Sequence, residues 1–407
     1  MKKEDLALFG GQKTIDKKFD WPIFDESEVN AVAEIVKSGA WGNPNCDGQV
    51  LEFEKKFAGY CGTKYALSCA NGSIALRLAL IACGVKPGDE VIIPPYTFIA
   101  TASIVVETNC VPVFVDIEPD TYNIDPVAVE KAITPRTKAI IPVHFAGQAC
   151  NMDALAEIAK KHNLKIIEDA CHGHGGEYKG KKLGSIGDAG CFSFQSSKNL
   201  TSGEGGIVIT SDERIANMVD SLRTVGRVKG GQWYEHHFLG CNYRITQLQI
   251  ALLSLQLKRL DEQTRRRNEN GLYLNSMLEN IPGIRPLTRG HGETLHTCHL
   301  YIFRYDKSFF GNLPKKEFAA MLAAEGVPSF MGYPEPLYKQ RVFQQKNFMC
   351  YAIPEHVDYT TVHCPVTEKA CYEEAVWIMQ HAMLGTREDM EKFAEAIRKI
   401  QQVMNQM

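Results

Sequence analysis

No run of apolar residues approaches the roughly 18 needed for a membrane-spanning helix, and the Met1-Lys2-Lys3-Glu4-Asp5 start carries charge with no signal-like apolar stretch behind it. These absences argue against membrane insertion and secretion, and favour a cytoplasmic protein. There is no excess of one charge either. The 45 basic and 48 acidic residues give a net charge of -3 and are spread along the chain, so no polyelectrolyte field draws in nucleic acid or an anionic membrane. The 13 cysteines are odd in number, and no two are separated by just two residues. That spacing indicates neither a disulfide framework nor a Cys-x-x-Cys metal or redox motif, and suggests reduced, buried thiols.

What is present is ordinary globular material: 44% hydrophobic and 23% charged residues in a chain of 407. A chain of that length exceeds a single core and suits a large and a small domain. From about residue 64, short apolar runs alternate with segments of helical period. Tyr65 to Ala70 is followed by Ile74 to Cys83, Glu90 to Ile93 by Phe98 to Glu107, Val111 to Val115 by Pro126 to Ile133, and Ala139 to Val143 by Met152 to His162, before Lys165 to Glu168. This α/β alternation predicts a mostly parallel sheet covered on both faces, with ligands at the carboxyl ends of its strands. Gly190 to Phe194 and Ile207 to Thr210 read as neighbouring strands joined by a functional loop. A long helix from about Thr246 to Leu278 reads as a connector, leading to a strand at Leu300 to Tyr305 and a final amphipathic helix from Arg387 to Gln402. The expected organisation is a large domain over 1–265 with an N-terminal arm of about 1–25, and a small α/β domain over 266–407. No repeat or low-complexity segment interrupts it.

Three strand ends carry residues suited to chemistry. Ser68-Cys69-Ala70-Asn71-Gly72-Ser73 ends a strand and opens a helix, where free amides and the helix dipole make an anion site; an Asn-Gly turn with a Ser cap is the plainer alternative. Ile166-Ile167-Glu168-Asp169 places two acids at the end of a buried strand. Strand alternation sends them to opposite faces, and a buried carboxylate needs a cationic partner, such as a protonated ring nitrogen; Asp169 is assigned that role. Phe192-Ser193-Phe194-Gln195-Ser196-Ser197-Lys198 runs from a strand into hydroxyl residues, one lysine and the turn Gly203-Glu204-Gly205-Gly206. A lysine at a strand end among small polar groups suits Schiff-base chemistry. Glu204 is assigned no role. His172-x-His174 invites a metal reading, but no third ligand is evident and no metal is expected.

Phosphate cradle, carboxylate and amine together match the needs of pyridoxal phosphate. Here the sequence resembles the DegT/DnrJ/StrS sugar aminotransferases, a branch of the fold type I, aspartate-aminotransferase-like pyridoxal-phosphate enzymes. The likeness runs from Ala40-Trp41-Gly42 through Pro94-Pro95-Tyr96-Thr97-Phe98 and Tyr122-Asn123-Ile124-Asp125 to Gly240-Cys241-Asn242-Tyr243-Arg244. The resemblance implies that Lys198 joins the cofactor and later shuttles a proton, that Asp169 partners the pyridine nitrogen, and that Gly72, Ser73 and Ser193 hold the phosphate, with Asn71 a further neighbour. It implies that Asn242 reaches the phosphate of the other subunit of a homodimer, that Phe98, or with less support Tyr96, lies against the ring, and that His172 sits beside the ring oxygen. Lysine rather than histidine at position 198 favours transamination over the family's dehydratase branch.

The expected donor is L-glutamine or L-glutamate, with Arg244 and Arg223 as candidates by charge for its carboxylate. Cys364-Pro365-Val366-Thr367-Glu368 and Trp377-Ile378-Met379-Gln380-His381 are similar to the branch that includes glutamine:scyllo-inosose aminotransferases and aminohydroxybenzoate synthase. The resemblance thus implies a keto-cyclitol or keto-sugar acceptor, with a nucleotide-linked 3-keto or 4-keto sugar as the alternative. A pyridoxal-phosphate lyase would need a thiol on a mobile loop, and no cysteine is singled out for that by its neighbours; a non-catalytic regulator would have no use for an intact Lys198 and Asp169.

Overall fold

A computed structural model describes residues 2–406. In chain order, α1 (Glu26–Ser38) and α2 (Gly48–Cys61) lead into β1 (Tyr65–Cys69), α3 (Gly72–Ala82), β2 (Glu90–Ile93), α4 (Ala100–Glu107), β3 (Val111–Phe114), α5 (Pro126–Ala132), β4 (Thr137–Ile140), α6 (Met152–His162) and β5 (Lys165–Asp169). Next come the short β6 (Glu177–Tyr178) and β7 (Lys181–Lys182), then β8 (Ala189–Ser193), β9 (Gly206–Thr210), α7 (Glu213–Arg223) and the 32-residue α8 (Gln247–Leu278). The remainder is β10 (Ile284–Pro286), β11 (Glu293–Leu295), β12 (Leu300–Tyr305), α9 (Lys315–Ala324), β13 (Ser329–Phe330), α10 (Arg341–Gln344), α11 (Pro365–Lys369), β14 (Ala375–Met379) and α12 (Arg387–Met404).

The seven-stranded central sheet has the order β1-β9-β8-β5-β4-β2-β3. Its strands run parallel except β9, which is antiparallel to both β8 and β1. The α/β expectation is therefore met, as is the pairing of the two strands after residue 188. The strands are buried on both faces, as a parallel sheet under helices requires. The fourth strand ends earlier than expected, because Pro142 has no N–H to continue the ladder; its carbonyl instead accepts from Asp169 N at 2.9 Å.

A second, antiparallel sheet of order β10-β12-β14-β13 builds a separate core with α9, α12 and the end of α8. The helix α8 starts at a Thr246/Gln249 capping box and joins the two cores without a break. A division at residue 265 thus falls inside α8, and core membership does not follow it. The N-terminal Leu6 and Ile15 are buried in the second core, where Glu325 accepts hydrogen bonds from Ala7 N, Thr14 N and Lys399 Nζ. Conversely Leu337, Tyr338, Phe343 and Tyr359 pack against the first core, around Phe114.

Candidate active site

The site lies at the carboxyl ends of β1, β5 and β8. Asn71 caps α3 by accepting from Ile74 N at 2.9 Å, and its own carbonyl accepts from Ala75 N. That leaves the amides of Gly72 and Ser73 without a partner among the described residues, at the positive end of a helix. Glycine is required here by space: a Cβ on Gly72 would stand 2.6 Å from Ser193 Cβ, and one on Gly206 would stand 2.3 Å from Asn71 O. Three segments thus close into a small cradle around the unpartnered amides. Ser193 is buried, and its hydroxyl accepts from Gln195 N at 3.3 Å.

The neighbouring acids of β5 diverge as strand alternation demands. Glu168 is fully buried and fully engaged: His144 Nε2 lies 2.7 Å from one oxygen, and the amides of Gly184, Ile186 and Gly187 donate at 2.8, 2.6 and 2.6 Å. Because His144 Nδ1 accepts from Cys150 N, its proton is on Nε2 and is donated to Glu168. Asp169 faces the site with lighter support: Thr101 Oγ1 donates at 2.8 Å and Cys171 N at 3.2 Å. Thr101 is in turn 3.2 Å from the Thr97 hydroxyl, so the helix that follows Phe98 anchors the carboxylate.

Lys198 ends the run after β8, with neither a side-chain hydrogen bond nor an ion pair among the described residues. Burial lowers its pKa, and the proximity of Cys171 and Asp169 opposes that only in part. The shift favours the neutral amine, the form able to attack a carbonyl. Cys171 is held as a thiol, chiefly by burial and next by Asp169.

His172 Nδ1 accepts from Ala146 N at 3.3 Å, so the ring's hydrogen is on Nε2; burial holds the ring neutral, its pKa well below the usual value. The ring stacks on His299 at 4.2 Å, and His299 Nδ1 donates to Asn199 Oδ1 at 3.0 Å. Sequence reasoning missed Thr101, Asn199 and His299. Asn199 directly follows the lysine, but the others come from distant segments, and no local spacing marks them. Phe98 precedes α4 and is 60% exposed beside the Thr97–Thr101–Asp169 chain, open to a flat ring. Tyr96 is instead sealed in the core between Tyr122, Phe145 and Trp377, which corrects its candidacy for that contact.

Arg223 is also corrected. It is buried against Glu54, against Asp220 at 2.7 Å and against Ser68 O at 2.7 Å, so none of its charge is left over for a substrate. Arg244 is half-buried. Asn242 is exposed, on the segment whose Tyr243 O accepts from Ala70 N at 2.7 Å. Glu204 is exposed and contributes only its carbonyl, which accepts from Ser202 and Gln249. His174 packs against Phe192 and Phe194, and no group of three or more His, Cys, Asp or Glu able to hold a metal ion occurs among the described residues.

The DegT/DnrJ/EryC1/StrS aminotransferase family is matched over residues 22–398. The chain belongs to this family. This aminotransferase is 36% identical to the L-glutamine:2-deoxy-scyllo-inosose aminotransferase of Streptomyces fradiae, with 97% of each chain covered. It is 42% identical to the spore coat polysaccharide biosynthesis protein SpsC of Bacillus subtilis over 72% of this chain and 77% of that one. Among solved structures, that of 3-amino-5-hydroxybenzoic acid synthase superposes with a TM-score of 0.85 at 32% identity, covering 94% of this chain and 98% of the other. The aminotransferase is pyridoxal-phosphate-dependent, and the residues present fit that group: unclaimed amides at a helix start for a phosphate, a buried carboxylate for a ring nitrogen, and an amine of lowered pKa for an aldehyde.

Proposed function

We propose that the enzyme transfers the amino group of L-glutamine, or L-glutamate, to a keto-cyclitol of the scyllo-inosose type or a related keto-sugar. The observation that carries this reading is full-length similarity to an enzyme named for that reaction, at 36% identity over 97% of both chains.

Pyridoxal phosphate, when bound, supplies the electron sink that lets the α-proton of an amino acid leave. Lys198 Nζ, whose hold on its own proton burial weakens, would take up that α-proton and deliver it to the cofactor's carbon within the same half-reaction, and would carry a proton the other way when the ketone is aminated. Asp169 keeps a ring nitrogen protonated, and Thr101 Oγ1 and Cys171 N hold its carboxylate in place. The Gly72 and Ser73 amides with the Ser193 hydroxyl bind the phosphate, with Asn71 shaping the turn. Phe98 covers one ring face, and His172 offers its Nε2–H to the ring oxygen.

The active unit is a cytoplasmic homodimer in which Asn242 serves the partner's phosphate. In support, the adjoining loop leaves Trp233, Tyr234 and Leu239 at 75%, 78% and 98% exposure, an apolar surface that water disfavours. No helix among the described residues is long and apolar enough to cross a membrane.

The test is a pair of half-reactions followed by the absorbance of the bound cofactor. L-glutamine is expected to convert the cofactor, and a scyllo-inosose-type ketone to convert it back. Reversal only by nucleotide-linked keto-sugars would replace the acceptor, and no response to any amino acid would remove the activity.

A further inference from the structure

Arg267, on α8, is a second buried guanidinium, and its surroundings differ from those of an ordinary structural arginine. It has no measurable exposure, and no carboxylate among the described residues pairs with it. Its partners are neutral: Nε reaches Gln380 Oε1 at 3.0 Å and Nη2 reaches the same oxygen at 2.5 Å. Arg267 Nη1 and Gln380 Nε2 are both buried donors without a partner among the described residues. Burial pushes the arginine's pKa down to about 9, so it remains a cation at neutral pH. Unmet N–H groups and an uncompensated charge are both costly in a protein interior, and a buried cluster of unmet donors calls for acceptor oxygens.

The cluster adjoins the lysine loop. The half-buried Trp21 lies with its ring 5.2 Å from the guanidinium, and its Nε1 donates to Ser196 O at 2.9 Å, two residues before Lys198. Burial, and to a small extent the Arg267 charge, lowers the pKa of His299, whose ring stacks on His172. Trp21 therefore stands between the lysine loop and the buried donors, bringing together residues 21, 196, 267 and 380 from four distant parts of the chain. An aromatic face beside N–H donors suits a ring that carries hydroxyl groups, since its C–H faces pack on the indole and its oxygens accept hydrogen bonds.

We propose that Trp21, with Arg267 and Gln380 behind it, forms the wall that recognises the hydroxyl-bearing ring of the amino acceptor. This rests on the aminotransferase reading above and names the residues that select its second substrate. The donor amino acid does not use this wall, so the two half-reactions separate the roles.

In the holoenzyme, Trp21→Ala is expected to raise the ketone concentration that half-saturates the second half-reaction about tenfold, the loss of one such aromatic contact. The concentration of L-glutamine that half-saturates the first should stay within about twofold. Trp21→Phe, which keeps a ring, should recover most of the ketone affinity. Independently of turnover, titrating the wild-type holoenzyme with myo-inositol, a cyclitol with no keto group, should change tryptophan emission saturably, and Trp21→Phe should abolish the change. The proposal is overturned if Trp21→Ala shifts the glutamine arm as much as the ketone arm, if it shifts neither, or if myo-inositol leaves the emission unchanged. A wild type whose cofactor ignores glutamine would be a failure of the donor reading, and the myo-inositol titration would still decide on Trp21.

Discussion

Buried charge is handled in opposite ways in two regions of this enzyme. Behind the first half of the sheet, Arg223 is closed off by Glu54, Asp220 and a carbonyl, and Glu168 by His144 and three amides. Around the lysine loop, Asp169 has one hydroxyl and one amide, and among the described residues Lys198 has no hydrogen-bond or ion-pair partner and Arg267, on α8, hydrogen-bonds only to a neutral glutamine. The closed region has satisfied its hydrogen-bonding capacity and holds the fold together. The open region leaves capacity unused, and unused capacity in a protein interior marks where ligands bind.

Substitutions should divide along the same line. The largest effect belongs to the open region: Asp169→Asn should lower kcat by about 10²–10³, the cost of removing one preorganised charge, and unfolding profiles should barely move. The closed region should respond in stability. Arg223→Met strands Glu54 in the interior and should cost about 3–5 kcal/mol in denaturant titrations. Arg267→Met strands no charge and should stay within about 1–2 kcal/mol of wild type. Equal destabilisation by the two would erase the contrast.

The histidines sharpen the comparison through pH. Burial depresses the pKa values of His172 and His299 well below the ordinary value, and that of His174 to about 3. The folded state keeps these rings neutral, whereas the unfolded chain protonates them below about 6.5, so stability is intact above that pH and is lost below it. Each ring should cost about 1.4 kcal/mol per pH unit on acidification. A stability flat from pH 7 to pH 5.5 would contradict this. The smallest expected effect is that of Thr101→Val, which removes the hydroxyl from Asp169 and should lower kcat about tenfold, within the range for a hydrogen bond to a charged group. The absorbance titration of the bound cofactor should shift with it.

Much of this was legible in the sequence where signals were local. Alternating apolar and helical runs gave the sheet, and Glu168-Asp169 and Ser196-Ser197-Lys198 lie where a strand meets a loop, so strand period alone showed that the two acids face opposite ways. Contacts across long stretches of chain were not legible. Charge singled out Arg223 as a substrate ligand, but its partner Glu54 lies 169 positions away and nothing in the local pattern announces the pairing. Arg267 and Gln380 are 113 positions apart, and His299 and Asn199 are 100 apart. Tyr96 and Phe98 both sit in an aromatic-rich turn, and only the packing of Tyr122, Phe145 and Trp377 around one of them shows which is core.

The most direct test of the open region is to reduce the holoenzyme with borohydride and map the modified peptide. The account predicts a single stable adduct on Lys198, absent from Lys198→Ala. An adduct on any other lysine, or a protein that takes up no pyridoxal phosphate, would contradict it.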